Sequence, residues 1–217
     1  MSAPRKLILL PILAFCVALR VPAFRASGDP SVGWYLWNFS PLMAVMLFCG
    51  ANYRHWIWSA AAPLLAYLLG DLAVWLSGGD LAQAFRPDSL WVYLGWLAVL
   101  GCGWSLRGRR QSLPVVGAAA LGSVASFFLI TNFGSWIMDP YAPQPTGYDR
   151  SLLGLWQSYV AAIPFSRNDC VATLLFSGLF FSPLGRRFLT TGPATAQGEA
   201  VTGPAVAATL TEREATI

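Results

Sequence analysis

Two ionisable side chains of this 217-residue chain lie inside apolar stretches. Asp71 occurs in the run YLLGDLAVW, and Arg20 occurs in the run VALRVP. A charged side chain inside a membrane is costly unless it is paired, neutralised or exposed to a watered cavity. From the helical rise we place Asp71 about 9 Å below the outer end of its helix, a depth that Arg20 can also reach. The sequence leaves two alternatives open: an Arg20–Asp71 pair that joins two helices, or a site at which one or both bind a ligand.

Polar and aromatic residues also meet at the end of a long apolar run, in the segment ITNFGSWIMDPYAPQPTG. Thr131 and Asn132 offer a hydroxyl and an amide, and Trp136 offers a planar ring. Small-molecule sites combine apolar and aromatic walls with a few polar groups in this way. We therefore predict that Thr131, Asn132 and Trp136 form one wall of an outward-facing pocket for a small, polar, partly aromatic solute.

The composition identifies the kind of element that must position these residues. Hydrophobic residues make up 56% of the chain and charged residues only 11%, whereas soluble domains carry about 25% charged residues. The ten tryptophans suit the aromatic belts at membrane interfaces. We predict an all-α integral membrane protein in the lipid bilayer. The net charge of +4 is spread over short loops, which argues against a nucleic-acid partner.

Several chemistries have few candidate residues here. His55 is the single histidine and Lys6 the single lysine. A histidine metal cluster, a Ser-His-Asp triad and a Walker-type nucleotide loop are therefore not expected. The four cysteines are interpreted as small buried apolar residues. We expect no enzymatic activity, no cofactor and no metal site.

Apolar stretches long enough to cross a bilayer, or nearly so, divide the chain into helices. Six spans are predicted: 7–23, 40–53, 56–77, 89–106, 113–137 and 168–185. The stretch 152–165 is shorter and runs into Pro164, so 152–164 is predicted to be a short lid helix that closes over the pocket with the loop 138–151. Residues 1–187 then form one transmembrane domain, and residues 188–217 are predicted to be a disordered cytoplasmic tail.

The arginines predict the orientation of this bundle. With six spans and both termini inside, the basic residues near the spans fall mainly on the cytoplasmic side, as the positive-inside rule requires. They are Arg5, Lys6, Arg54, Arg107, Arg109, Arg110, Arg186 and Arg187. A bacterial inner-membrane protein with several spans is the expected location.

A resemblance to a known family rests on three segments. NFSPLMAVMLFCGANYR…LLGDL, TNFGSWIMDPY and YVAAIPFSRND resemble an uncharacterised family of bacterial membrane transport proteins. That family is similar to the substrate-binding S components of energy-coupling-factor (ECF) vitamin transporters. The likeness extends roughly from Ala14 to Gly185.

The resemblance implies a six-helix S-component-like bundle that binds a small vitamin-like solute near the outer face. It implies Asn38, Asp71, Thr131 and Asn132 as pocket residues, to which we add Arg20 because of its depth. Ala14 and Ala18 match an Ala-x-x-x-Ala motif that contacts a transmembrane T component, and separate ATPase subunits would supply energy. An alternative from a different class is a non-transporting membrane scaffold or assembly protein, in which the Arg20–Asp71 pair only joins helices.

Overall fold

The computed structural model describes residues 6–26, 39–78, 89–141 and 145–190. Within these ranges the chain folds into seven α-helices and no strand. They are α1 (Lys6–Ala26), α2 (Leu42–Asn52), α3 (Ala62–Leu76, preceded by the π-helical turn Ile57–Ala61), α4 (Ser89–Ser105), α5 (Leu113–Met138), α6 (Leu152–Phe181) and α7 (Pro183–Thr190). A 3₁₀ turn, Asp139–Tyr141, follows α5. The described part of the chain is therefore all-helical, as the composition predicts.

The short helix α2 lies at the centre of the bundle. Every residue from 42 to 51 is buried, because the helix is apolar on all sides and is surrounded by α4, α5 and α6. Phe48 of α2 packs edge-on against Phe181 of α6, with the ring centroids 5.2 Å apart. The remaining helices are arranged around this core.

Two glycines allow α2 and α4 to cross at close range. A Cβ atom on Gly103 of α4 would lie 2.6 Å from the carbonyl oxygen of Leu47, and one on Gly50 of α2 would lie 2.9 Å from that of Leu100. Neither position can hold a larger side chain without separating the helices. Small residues at helix crossings are common in membrane proteins, where close backbone contact drives association.

The helix α6 differs from the prediction. A separate lid helix 152–164 and a span 168–185 were expected, but one helix runs from Leu152 to Phe181 with Pro164 inside it. Its first half lies along α5, because the Ser158 hydroxyl donates to the Asn132 carbonyl (3.1 Å) and the Tyr159 hydroxyl to the Leu129 carbonyl (3.2 Å). Proline removes only one backbone hydrogen bond, and packing against a neighbouring helix can maintain a membrane helix through it.

Many large apolar side chains are exposed on the surface of the helices, which suits a lipid environment. Ile57–Leu76 and Leu113–Tyr141 are long and apolar enough to cross a membrane, and three shorter apolar stretches lie in α1, α2 and α4. Large side chains such as Leu121 of α5 and Leu175 of α6 are 50% and 58% exposed. These features support a membrane protein.

The predicted tail is only partly described. Residues 188–190, which were assigned to it, belong to α7. This assignment was wrong because Leu189 is buried against the bundle, so the hydrophobic core extends past residue 187. The rest of the predicted tail, 191–217, lies outside the described residues.

Candidate functional site

Arg20 of α1 and Asp71 of α3 form an ion pair through the Nη2 atom of the arginine and the Oδ1 atom of the aspartate. The Asp71 side chain is 12% exposed and the Arg20 side chain 38%. Gly70 makes room for the arginine, since a Cβ atom there would lie 2.8 Å from the Arg20 Cγ. The aliphatic part of Arg20 can therefore lie against α3 while its guanidinium reaches the next residue.

An aromatic cluster supports this pair. The guanidinium carbon of Arg20 lies 4.9 Å from the ring centroid of Tyr67, within range of a cation–π interaction. Tyr67 lies one turn before Asp71 on α3 and contacts two rings of α4: Tyr93, edge-on at 5.7 Å, and Trp96 at 5.4 Å. These contacts hold the guanidinium between a carboxylate and an aromatic face.

The cluster continues across the bundle to α5. The rings of Trp96 and Phe127 lie 4.4 Å apart, and Gly95 leaves room for both Phe127 and the methyl group of Thr131. Thr131 therefore adjoins the aromatic cluster, which reaches the Arg20–Asp71 pair through Phe127, Trp96 and Tyr67.

The pair is not completely satisfied by the described residues. The Nε atom of Arg20 is buried and has no acceptor among them, and the same holds for the Nε1 atom of Trp96. A buried donor without an acceptor carries a desolvation cost.

The predicted pocket wall on α5 has its polar groups bonded within the protein. The Thr131 hydroxyl donates to the Phe127 carbonyl and the Asn132 amide to the Phe128 carbonyl, each at 2.8 Å. These are bonds to the preceding turn of the same helix, a common arrangement for polar side chains inside membrane helices. Both side chains are half-buried.

Trp136 holds the loop between α5 and α6. Its Nε1 atom donates to the Asp149 carbonyl at 2.7 Å, and Arg150 lies over its ring at 5.7 Å. Asp149 accepts hydrogen bonds from the Ser151 hydroxyl and N–H, which hold the pKa of its carboxyl below its usual range. This part of the loop is anchored at the end of α5, and its predicted role as a lid remains a prediction.

A second aspartate secures the same loop. Asp139 is buried and accepts hydrogen bonds from the Thr146 N–H at 2.8 Å, from the Thr146 hydroxyl and from the Gly147 N–H at 3.0 Å. Gly147 has φ = +80°, a conformation that glycine adopts without steric cost. These bonds join the 3₁₀ turn after α5 to Thr146 and Gly147, which precede α6.

The other predicted residues occupy different positions. Ala14 and Ala18 are exposed on α1, on the side opposite the buried Leu9 and Leu13. Asn38 lies outside the described residues. Among the contacts that the structure describes, none joins Asn132 or Trp136 to the ion pair. No cluster of three metal-ligating side chains occurs within the described ranges.

The aromatic residues Tyr67, Tyr93 and Trp96 were missed in the sequence. Tyr67 could have been found from its position one helical turn before Asp71, which places the ring and the carboxylate on the same face of the helix. Tyr93 and Trp96 of α4 have no comparable signal in the sequence. Because α4 is apolar throughout, packing decides which of its sides faces Tyr67.

Comparison with known proteins places the chain in a family. Residues 1–187 match a family of unknown function, DUF6580, and the chain belongs to it. The chloramphenicol-sensitive protein RarD of Pseudomonas aeruginosa is 35% identical over 104 residues, which cover 48% of this chain and 26% of that protein. The chain thus spans about a quarter of the length of this curated relative. No solved structure matches.

Proposed function

We propose that this member of the DUF6580 family is the solute-binding membrane component of an uptake system. Its cargo is a small, polar, partly aromatic solute of vitamin-like size. In this proposal the protein crosses the bacterial inner membrane six times with both termini in the cytoplasm. The apolar helices and the partial likeness to a curated bacterial protein support a membrane role.

The observation that carries the proposal is the Arg20–Asp71 pair. An ionisable pair within the apolar bundle is costly and marks a functional site by default. This pair retains an unsatisfied guanidinium nitrogen, and more than a third of the arginine side chain is exposed. A guanidinium over a tyrosine ring offers both charge and an aromatic surface, which suits a solute with a planar ring and a polar substituent.

The residues of α5 would complete the site. Thr131 adjoins the aromatic cluster, and Asn132 follows it on the same helix. Their bonds to their own helix can be exchanged for bonds to a ligand, because a backbone carbonyl in a helix still keeps its N–H partner. Asn38 and Trp136 are the further proposed ligand-binding residues.

A separate module would supply the energy. The sequence has no Walker-type nucleotide loop, so an S-component-like protein of this kind would require a T component and ATPase subunits. The exposed positions of Ala14 and Ala18 on α1 leave the proposed contact face accessible.

The test is native mass spectrometry of the full-length protein, purified gently from its own host. We expect a small molecule to co-purify with the wild type and to be lost in Asp71→Asn and in Asn132→Ala. Ser123→Ala is the matched control: its hydroxyl is buried in the same helix α5 and donates to the Ala119 carbonyl. Absence of any small molecule from the wild type, or its retention in Asp71→Asn, would contradict the proposal.

The second candidate is a non-transporting scaffold or assembly protein. One observation favours it: the polar groups of Thr131, Asn132 and Trp136 already have acceptors within the protein. A scaffold would co-purify with a stoichiometric membrane protein and no small molecule. A T component with its ATPases as that partner would instead support the uptake system.

A further inference from the structure

An apolar groove of about 300 Å³ lies between α1 and the C-terminal part of α6. Pro41, at the start of α2, is buried and closes the groove on the inside. Phe15 and Leu179 are about half exposed, at 52% and 50%, and stand at its rim. The complete lining is Pro11, Ile12, Phe15, Pro41, Phe176, Leu179 and Phe180. In a bilayer this groove would face the hydrocarbon region.

The helix α7 lies beside the two helices that form this groove. It starts two residues after α6 ends and contacts both α6 and α1. Leu184 and Phe188 are 59% and 57% exposed and lie one turn apart, while Leu189 on another side is buried. Exposed Arg187 lies between them in sequence. A short helix with exposed apolar and basic residues is suited to the boundary between acyl chains and headgroups.

The position of α7 is held by Arg186. Its Nε atom donates to the Phe181 carbonyl at 2.8 Å, and its Nη2 atom to the Gln111 carbonyl at 2.6 Å. The Ser182 hydroxyl accepts a hydrogen bond from the Gly185 N–H at 3.0 Å. These bonds tie α7 to the end of α6 and to the loop before α5.

The described charged side chains at this end of the bundle are positive. Exposed Arg54, Arg109 and Arg110 lie in the turns that follow α2 and α4. Of the four aspartates in the described ranges, Asp169 is the nearest to this end along α6, and it lies about three turns before the end of that helix. An anionic headgroup would therefore meet basic side chains and no described carboxylate at this end.

We propose that the groove binds an acyl chain of an anionic phospholipid, whose phosphate lies beside α7 near Arg187. The site depends on the membrane placement of the protein and is independent of the proposed solute. The open apolar groove explains why a lipid acyl chain would bind there. The basic side chains at this end of the bundle explain the preference for a negatively charged headgroup.

The experiment measures lipid binding to full-length protein that has been stripped of lipid in detergent. Phosphatidylglycerol and phosphatidylcholine with identical acyl chains are added separately, and the bound lipid is counted by native mass spectrometry. We expect one phosphatidylglycerol to be retained in preference to phosphatidylcholine. In Arg187→Gln, phosphatidylglycerol should bind about fivefold more weakly, the loss expected for one arginine at an anionic surface.

Two control pairs separate the groove and the charge from nonspecific effects. Leu179→Trp fills the groove and should reduce binding of both lipids, whereas Leu175→Trp, on an exposed position of α6 that does not line the groove, should not. Arg25→Gln, at an exposed position of α1 ten residues beyond Phe15, should leave the preference unchanged, and glycerol phosphate should not compete. Equal binding of the two lipids by the wild type, equal binding by the two tryptophan variants, or competition by glycerol phosphate would overturn the proposal.

Discussion

Arg20 and Asp71 pair across α1 and α3 with unequal burial: the aspartate side chain is 12% exposed and the arginine 38%. The carboxylate is enclosed, while the arginine side chain keeps more exposed surface and its guanidinium lies over the ring of Tyr67. In the proposed function, the arginine is the partner that contacts the solute, and the aspartate is the partner that holds the arginine in place.

The pair should show energetic coupling. Asp71→Asn and Arg20→Met each leave one partner without its counterpart, so each should lower the free energy of unfolding by about 1–3 kcal/mol, between the values for exposed and buried pairs. The free energy of unfolding of the double variant should fall by less than the sum of the two single losses. Thermal unfolding in detergent measures all four proteins, with Arg25→Met, an exposed arginine of the same helix, as control. Additive losses would show that the two residues do not interact.

The crossing of α2 and α4 should depend on Gly103 and not on Gly101. Gly103→Ala places a methyl group 2.6 Å from the Leu47 carbonyl oxygen and should lower the unfolding temperature. Gly101→Ala meets nothing within 4 Å, so it should be neutral or slightly stabilising, as for alanine in a helix. Similar unfolding temperatures for the two variants would contradict the close crossing.

The end of α2 should depend on Arg107. Its guanidinium donates to the carbonyls of Gly50 and Tyr53, each at 2.7 Å, and to the Ser59 hydroxyl at 2.8 Å. Arg107→Lys should lower stability because an ammonium cannot reproduce this planar fork. Arg109→Lys, two residues later and exposed, should not. Thermal unfolding measures the stability of both variants. Equal losses of stability in Arg107→Lys and Arg109→Lys would show that the three hydrogen bonds do not stabilise the protein.

The continuity of α6 can be measured directly. Spin labels are attached at positions 156 and 174, where Trp156 and Leu174 are exposed, in a variant that lacks the native cysteines. Eighteen residues of continuous helix predict a Cα separation of about 27 Å between these positions. Pulsed electron paramagnetic resonance gives the distance. A markedly shorter distance would mean that the helix breaks at Pro164 and that the separate lid helix was the correct prediction.

The positions of α3 and α5 were predictable because the length of an apolar run locates them. Together with its π-helical turn, α3 covers 57–76 where 56–77 was predicted, and α5 covers Leu113–Met138 where 113–137 was predicted. The break at Pro164 was wrong, because the hydroxyls of Ser158 and Tyr159 hold that segment along α5. Such bonds depend on which helix is the neighbour, and a single sequence does not contain that information.

The candidate site was predictable in its charges but not in its surroundings. Asp71 and Arg20 are conspicuous in apolar runs, and the structure pairs them. The polar groups of Thr131 and Asn132 bond to their own helix, which depends on side-chain rotamers. The role of Gly70 as a space for Arg20 appears only when the two helices are packed together.

The most direct test of the central claim compares the wild type with Arg20→Lys. Lysine keeps the positive charge opposite Asp71, so the fold and the ion pair should persist, but it lacks the planar guanidinium above Tyr67. Native mass spectrometry of both proteins, purified from the original host, measures the retained small molecule. We predict that the wild type retains it and Arg20→Lys does not, with similar unfolding temperatures. Equal retention by both proteins, or none by either, would contradict the assignment of this pair as the solute-binding site.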